Sequence, residues 1–334
     1  MKTRILHTIF ILTVIALGNS AAQNPVQQYG QLRVDGNRIV DKKGKPVQLK
    51  GMSLFWSQWM GKYYQADAVK WLVKDWNIEV IRVAMAVDNG GYASQPEEEM
   101  RKVRLVVDEA IRQGIYVILD FHVHDASPYL TQSIQFFTDI SRQYGHLPNL
   151  IYEPWNEPVK HDWSTEIKPY HEKVVAAIRQ HDPDNLIVLG TRTWSQDVDE
   201  AAANPVSGSN LVYTLHYYAA THKASLRAKA ENALSRGVAL MVTEYGTCEA
   251  SGDGLVDVAE SRLWWDFLDA NFISHCNWAV SDKKESASAL VPGASAQGQW
   301  SLDHLTESGR LVREEILKNK KQKTSDSRRR KTKQ

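Results

Sequence analysis

The chain has 334 residues, room for one large domain or two ordinary ones, and 43% of them are apolar, with eleven tryptophans. Its net charge of +1 hides an asymmetry: Lys318 to Gln334 carries nine Lys or Arg against one Asp, a net of +8, which leaves about −7 for everything before it. An acidic body argues against a nucleic-acid-binding surface and suits a neutral polymer as partner.

At the N-terminus, Lys2 and Arg4 precede an apolar stretch, Ile9 to Leu17, and the small residues Ser20-Ala21-Ala22. This reads as a secretory signal over residues 1–22, too short in its apolar part to span a bilayer. Export to the periplasm or beyond is expected, without membrane insertion. Gln31 to Val47 alternates apolar and polar residues around Asp35-Gly36, a β-hairpin pattern. Short apolar runs then begin at residues 47, 80, 116, 150, 186, 211, 239 and 276. Between them lie amphipathic helical patterns such as Ala66–Asn77, Glu97–Gln113 and Leu255–Asn271. Pro96 suits a first helical position, and Gly114, Gly145 and Gly237 suit helix ends. Eight strands alternating with helices predict an α/β fold, a (β/α)8 TIM barrel over residues 23–317, with the hairpin at its bottom. The alternative, an open doubly wound sheet, would carry a Gly-rich phosphate loop after its first strand, and none is present. Residues 318–334 lack apolar periodicity and are expected to be disordered. Cys248 falls beyond a strand top and Cys276 inside a strand, which favours two free thiols.

Two of the apolar runs lead to a carboxylate: IYEPWNEP to Glu157 and LMVTEYG to Glu244. Burying a carboxylate is costly unless it is paired or has chemistry to do. Two in the same local setting suggest an acid and a nucleophile facing each other, the pair that retaining glycosidic cleavage needs. The other strand ends supply Arg82, His122 with His124, His216 with Tyr218, and Trp278. Polar, titratable and aromatic groups thus converge on the rim where barrel active sites lie. Singly, each has a structural alternative: Arg82 as an ion-pair partner, His122 as a core histidine, Tyr218 and Trp278 as packed aromatics. The competing assignment is a metal-dependent hydrolase. Asp120, His122 and His124 stand at i, i+2 and i+4 on one strand face, with His216 and His222 as further ligands. That assignment leaves Glu157 and Glu244 without roles.

In order along the chain come KGMSLFWSQW, IRVAM, DNGGY, LDFHVH, IYEPWNEP, TLHYYAATH, TEYG and NWAVSDKKESASAL. This ordered set, over roughly residues 30 to 315, resembles glycoside hydrolase family 5, in its branch of secreted bacterial endoglucanases. The resemblance implies Glu157 as general acid/base and Glu244 as nucleophile. Arg82 matches the arginine that supports the nucleophile, and Asn156 the residue that binds the sugar 2-hydroxyl. His216 and Tyr218 match a pair poised near the acid and the nucleophile. His122, Trp59 and Trp278 match substrate-cleft residues, and Lys283 and Glu285 match polar contacts to sugars. Three positions depart from the family pattern. Phe55 stands where many relatives have His, Ala86 where they have Tyr, and Trp155 where a small residue is frequent. The implied function is a monomeric, retaining endo-β-1,4-glucanase acting on β-1,4-glucan without metal or organic cofactor. Mannan, xylan and mixed-linkage glucan are alternative substrates. A non-catalytic glycan-binding protein is the alternative class, although binding alone does not need an acid opposite a nucleophile.

Overall fold

The computed structural model describes residues 23–318. The signal-like segment and the basic run after Lys318 lie outside these residues. Lys318 itself belongs to a helix spanning 307–318 and pairs with Glu315 at 2.6 Å, so the basic tail starts one residue later than its composition suggests.

A two-stranded hairpin comes first, β1 (Arg33–Asp35) and β2 (Arg38–Val40). Its turn centres on Gly36-Asn37, one residue beyond the expected pair, with Gly36 at φ +58°. The barrel staves follow: β3 (Lys50–Leu54), β4 (Val80–Ala86), β5 (Tyr116–His122), β6 (Leu150–Glu153) and β7 (Leu186–Leu189). Next come β8 (Leu211–Thr214) with its short continuation β9 (Tyr217–Tyr218), then β10 (Ala239–Gly246) and β11 (His275–Val280). All pair in parallel, and β11 bonds both β10 and β3, which closes the expected (β/α)8 barrel. Gly51 lets β3 approach β4: a Cβ there would lie 1.9 Å from the Val80 carbonyl oxygen.

Most helix boundaries follow local chemistry. Pro96–Gln113 opens on its proline and stops at Gly114, φ +68°. The helix expected from Leu255 begins at Val258, because the Asp257 side chain caps the Glu260 N–H. The pattern from Ala66 is α-helical only to Trp71; it finishes as a π turn, Leu72–Trp76, before left-handed Asn77.

Residues two apart along each stave share the barrel interior. The lower layers are apolar, with Val80, Ile118, Ile151, Val188 and Met241 packed on Leu32 and Ile39 from the hairpin region. Above this floor the interior turns polar, with Ser53, Arg82, Asp120, Glu153, Thr214 and Thr243 all fully buried. Arg82 is the third of seven residues in β4 and not at its end as expected, so it lies beneath the rim. Cys248 and Cys276 are both free and buried, as their positions suggested.

One buried ion pair fastens the last helix to the barrel. Lys50 Nζ, on β3, lies 2.9 Å from Glu315 and 2.9 Å from the half-exposed Asp269. Removing Glu315 leaves the buried Lys50 charge with only the half-exposed Asp269 as partner, so Glu315→Ala is expected to lower stability by roughly 1–3 kcal/mol in urea unfolding. Replacing the pair together, as Lys50→Met with Glu315→Leu, is expected to recover most of that loss.

Candidate active site

Arg82 organises the polar layer. Its Nε donates to Glu153 at 2.8 Å, one terminal nitrogen to Glu244 at 3.0 Å and Ser53 at 3.4 Å, the other to Asn156 at 2.6 Å and Glu153 at 3.4 Å, and that last nitrogen forms an ion pair with Asp120 at 2.9 Å. Burial disfavours the guanidinium charge, but Asp120, Glu153 and Glu244 more than offset it, so the group stays charged. Because Asn156 Oδ1 is committed to Arg82, its amide N–H groups remain for a ligand in the cleft it lines.

Glu244 reaches the interior through a break in strand alternation. Between Val242 and Tyr245 the pairing of β10 with β11 shifts register. Val242 and Tyr245 pack in the outer core, while Thr243 and Glu244, consecutive in sequence, both bond groups inside the barrel. A bulge of this kind re-aims one side chain without interrupting the strand. Tyr218 donates to the second Glu244 oxygen at 2.8 Å. Burial and the charge of Glu157 push the Glu244 carboxyl up, opposed by His216, Arg82 and Tyr218.

Glu157 lies four residues past the end of β6, whose ladder stops at Pro154, a residue with no N–H to donate. Gly190 admits this segment, since a Cβ there would meet the Trp155 carbonyl oxygen at 2.0 Å. Trp155 points away from the cleft. It is fully buried against Tyr170 and His161, and its Nε1 donates to the His124 carbonyl at 3.2 Å.

His216 fills the gap between β8 and β9, where its own N–H leaves the ladder for the Ser195 carbonyl. Nδ1 lies 2.9 Å from Glu157 Oε1 and Nε2 lies 2.8 Å from the Thr243 hydroxyl. Since Thr243 donates to Glu153 at 2.6 Å, it must accept from His216, which places a proton on Nε2. His124 approaches the other oxygen, Glu157 Oε2, at 3.2 Å. Burial pushes the Glu157 carboxyl up, but its bonds to His124 and His216 prevail and bring it down to about 2. Burial opposes charge on His216, yet Glu153 and Glu157 raise it to about 9. In the free cleft the proton therefore rests on imidazole, not on Glu157 as the charge of Glu244 alone would dictate. One oxygen of Glu157, one of Glu244 and a nitrogen of His216 lie within 4.8 Å of one another.

These groups face an open cleft of about 460 Å³. Glu157, Glu244, Asn156, His216, Tyr218, His122, Trp59, Trp278, Lys283 and Glu285 all line it; of the catalytic, supporting and substrate-binding residues expected from sequence, only Arg82 does not. His122 stacks on Trp278 with ring centres 5.1 Å apart, and its Nδ1 sits 2.5 Å from Asp120. This bond, and the turn of His124 toward Glu157, separate the three candidate metal ligands of β5 into different partnerships. Phe55 packs on Trp278 at 5.0 Å, beneath Lys283, and Lys283 bonds Glu285 at 2.5 Å. Ala86 is buried behind the cleft wall.

Sequence reasoning missed several contributors. Glu153 and Thr243 are positioning groups hidden inside apolar strand runs. Trp56 packs edge-on against His122 at 4.0 Å and lines the cleft. Trp194 does so too, 46% exposed, from a turn in which Thr193, Trp194 and Ser195 all have positive φ. Such backbone costs about 1 kcal/mol or more per residue and here is fastened by Ser195 Oγ donating to the Asn156 carbonyl at 2.7 Å. Its signal in sequence was only a tryptophan shortly after a strand end.

Residues 40–284 match the family described as cellulase, glycosyl hydrolase family 5. Endoglucanase A of Evansella cellulosilytica is 44% identical over 322 residues, covering 93% of this chain and 66% of that protein. Endoglucanase Z of Dickeya dadantii is 46% identical over 286 residues, covering 84% and 65%. The chain thus spans about two thirds of the length of these relatives. A solved structure from Cytophaga hutchinsonii superposes with a TM-score of 0.89 at 51% identity, covering 91% of this chain and all of that one. The catalytic domain of Thermobifida fusca endoglucanase Cel5A, in a single-site variant complexed with cellotetraose, gives 0.85 at 33% identity, covering 88% and 99%. Barrel, cleft, family match and relatives agree, and the chain belongs to glycosyl hydrolase family 5, the cellulase family.

Proposed function

We propose that this protein is an endo-β-1,4-glucanase that cleaves with retention, Glu244 as nucleophile and Glu157 as acid/base. The observation that carries this is the separation of the two carboxylates. With oxygens within 4.8 Å they match the roughly 5–5.5 Å of retaining enzymes and leave no space for the water that inverting enzymes hold between groups about 6.5–9.5 Å apart. Arg82 and Tyr218 hold Glu244 ionised and aimed at the anomeric carbon. Glu157, with a proton drawn from an imidazole partner, protonates the leaving oxygen as the glycosyl–Glu244 bond forms. That bond neutralises Glu244, so Glu157 is free to accept a proton from the attacking water. The Asn156 amide is placed for the sugar 2-hydroxyl, Trp59, Trp194 and Trp278 for sugar faces, and His122, Lys283 and Glu285 for hydroxyls. The open cleft suits internal bonds of a chain, and the endoglucanase relatives support β-1,4-glucan as substrate. The basic start, apolar stretch and small residues from Lys2 to Ala22 support export.

Glu244→Gln is expected to lower release of reducing ends from carboxymethylcellulose by more than about 10³-fold while cellotetraose still binds. In the unaltered protein, proton NMR of the products is expected to show the β-anomer first. Activity confined to glucomannan or xylan would move the substrate and leave the mechanism. The pH profile of kcat/KM on a cello-oligosaccharide has a sign at each limb. Loss of ionised Glu244 begins above the ordinary glutamate pKa on the acid side, and activity ends by about pH 9, where His216 releases its proton.

Glu157, His216 and Glu244 also have the spacing of a metal triad. Glu244 already shares its site with the Arg82 cation, and His216 Nδ1 faces Glu157 directly, which disfavours a second cation between them. Exhaustive dialysis against a chelator is expected to leave the hydrolysis rate unchanged.

A further inference from the structure

The two oxygens of Glu157 have different surroundings. Oε1 faces His216, whose side chain is 2% exposed and whose far nitrogen is locked to Thr243. A proton on Oε1 therefore lies inside that hydrogen bond, directed at His216 and away from the cleft. A proton that is to reach a leaving oxygen has to be on Oε2. The partner of Oε2 is His124 Nε2, and the His124 side chain is 52% exposed. Its main chain is tethered by Trp155 and its ring rests edge-on against Trp56 at 5.6 Å, so backbone and ring are both steadied at the cleft rim.

We propose that His124 is the proton relay between solvent and Glu157 Oε2. This rests on the assignment of Glu157 as the acid. In the first step the Nε2–H bond of the imidazolium breaks as the Oε2–H bond forms, which leaves a neutral imidazole beside a neutral carboxyl. The glycosidic oxygen then takes that proton as its bond to the anomeric carbon breaks. In the second step Oε2 accepts a proton from the attacking water, passes it back to Nε2, and the exposed ring exchanges with bulk water. No net proton is consumed. His216 keeps its own proton and holds Oε1 throughout, because its side chain is almost fully buried and both ring nitrogens are engaged, one with Glu157 and one with Thr243.

The charge around His124 suits this part. Its bond to Glu157 raises its pKa against burial, helped by the charges of Glu157, Glu244 and Asp88. Burial, then Arg82, then the cationic form of His124 disfavour protonation of His122, so of these two histidines it is the rim one that carries the proton.

The test is His124→Gln, which keeps a polar group at a half-exposed position but cannot relay. Glycosylation is read by kcat/KM on two substrates, cellotetraose, whose sugar leaving group needs a proton, and 2,4-dinitrophenyl β-cellobioside, whose leaving group does not. The expected result is a loss of about tenfold or more on cellotetraose, a change within about twofold on the aryl glycoside, and partial recovery of the first by added imidazole. Equal losses on both substrates, or no loss on either, would overturn the relay. A thermal midpoint matching the parent separates an altered site from an altered fold. Glu157→Ala on the same two substrates tests the underlying assignment. If it lacks leaving-group selectivity, Glu157 is not the acid, whatever His124→Gln does.

Discussion

A guanidinium with no contact to water sits at the centre of this barrel, and the rest of the site is arranged around the cost of keeping it there. Burying Arg82 uncompensated would be prohibitive, so its N–H groups are taken up by Ser53, Glu153, Asn156 and Glu244, with Asp120 as a further ion-pair partner. Those five residues come from β3, β5, β6 with its trailing loop, and β10. One cation thus sets the relative position of most staves at the same height where chemistry is proposed to occur. Among the described residues, the lower barrel interior is instead an apolar cluster, where dispersion among side chains suffices.

From this hub, electrostatic influence passes outward in two directions. Through Glu244 it reaches Tyr218 and the side of the cleft proposed to hold the nucleophile. Through Glu153, Thr243 and His216 it reaches Glu157, each contact with an assigned donor and acceptor. The order of hydroxyl and imidazole protons along the second route follows from Glu153 being an acceptor only. The two carboxylates of the cleft are therefore in different electrostatic situations despite their similar strand-end origins. One is braced by a permanent cation, the other by imidazoles whose charge varies with pH.

How much of this was legible in sequence depends on whether the signal was periodic. Alternating strand and helix patterns suffice for eight staves and a hairpin plug, and Pro96 and Gly114 mark their helix ends. Glu157 and Glu244 announce themselves as carboxylates where apolar runs give out. Glu153 and Thr243 do not, because a polar residue inside an apolar run looks the same whether it faces a ligand or a buried arginine. The depth of Arg82 was misjudged for a similar reason: a seven-residue stave and a four-residue one look alike in an apolar run, and only pairing reveals which residues rise to the rim. Trp194 was invisible because its exposure depends on three left-handed residues, a conformation without a compositional signature when none of them is glycine.

The register shift in β10 has a consequence for how such a site is inherited or transplanted. The orientation of the proposed nucleophile is a property of strand length and not of any side chain. Only Thr243 and Glu244 lie between Val242 and Tyr245, so deleting either would return the strand to strict alternation with a single inward side chain, and the interior would keep the hydroxyl or the carboxylate but not both. Substitutions elsewhere cannot restore it. For anyone grafting this chemistry onto another parallel barrel, the supernumerary residue is the part to carry across first, ahead of the glutamate it presents.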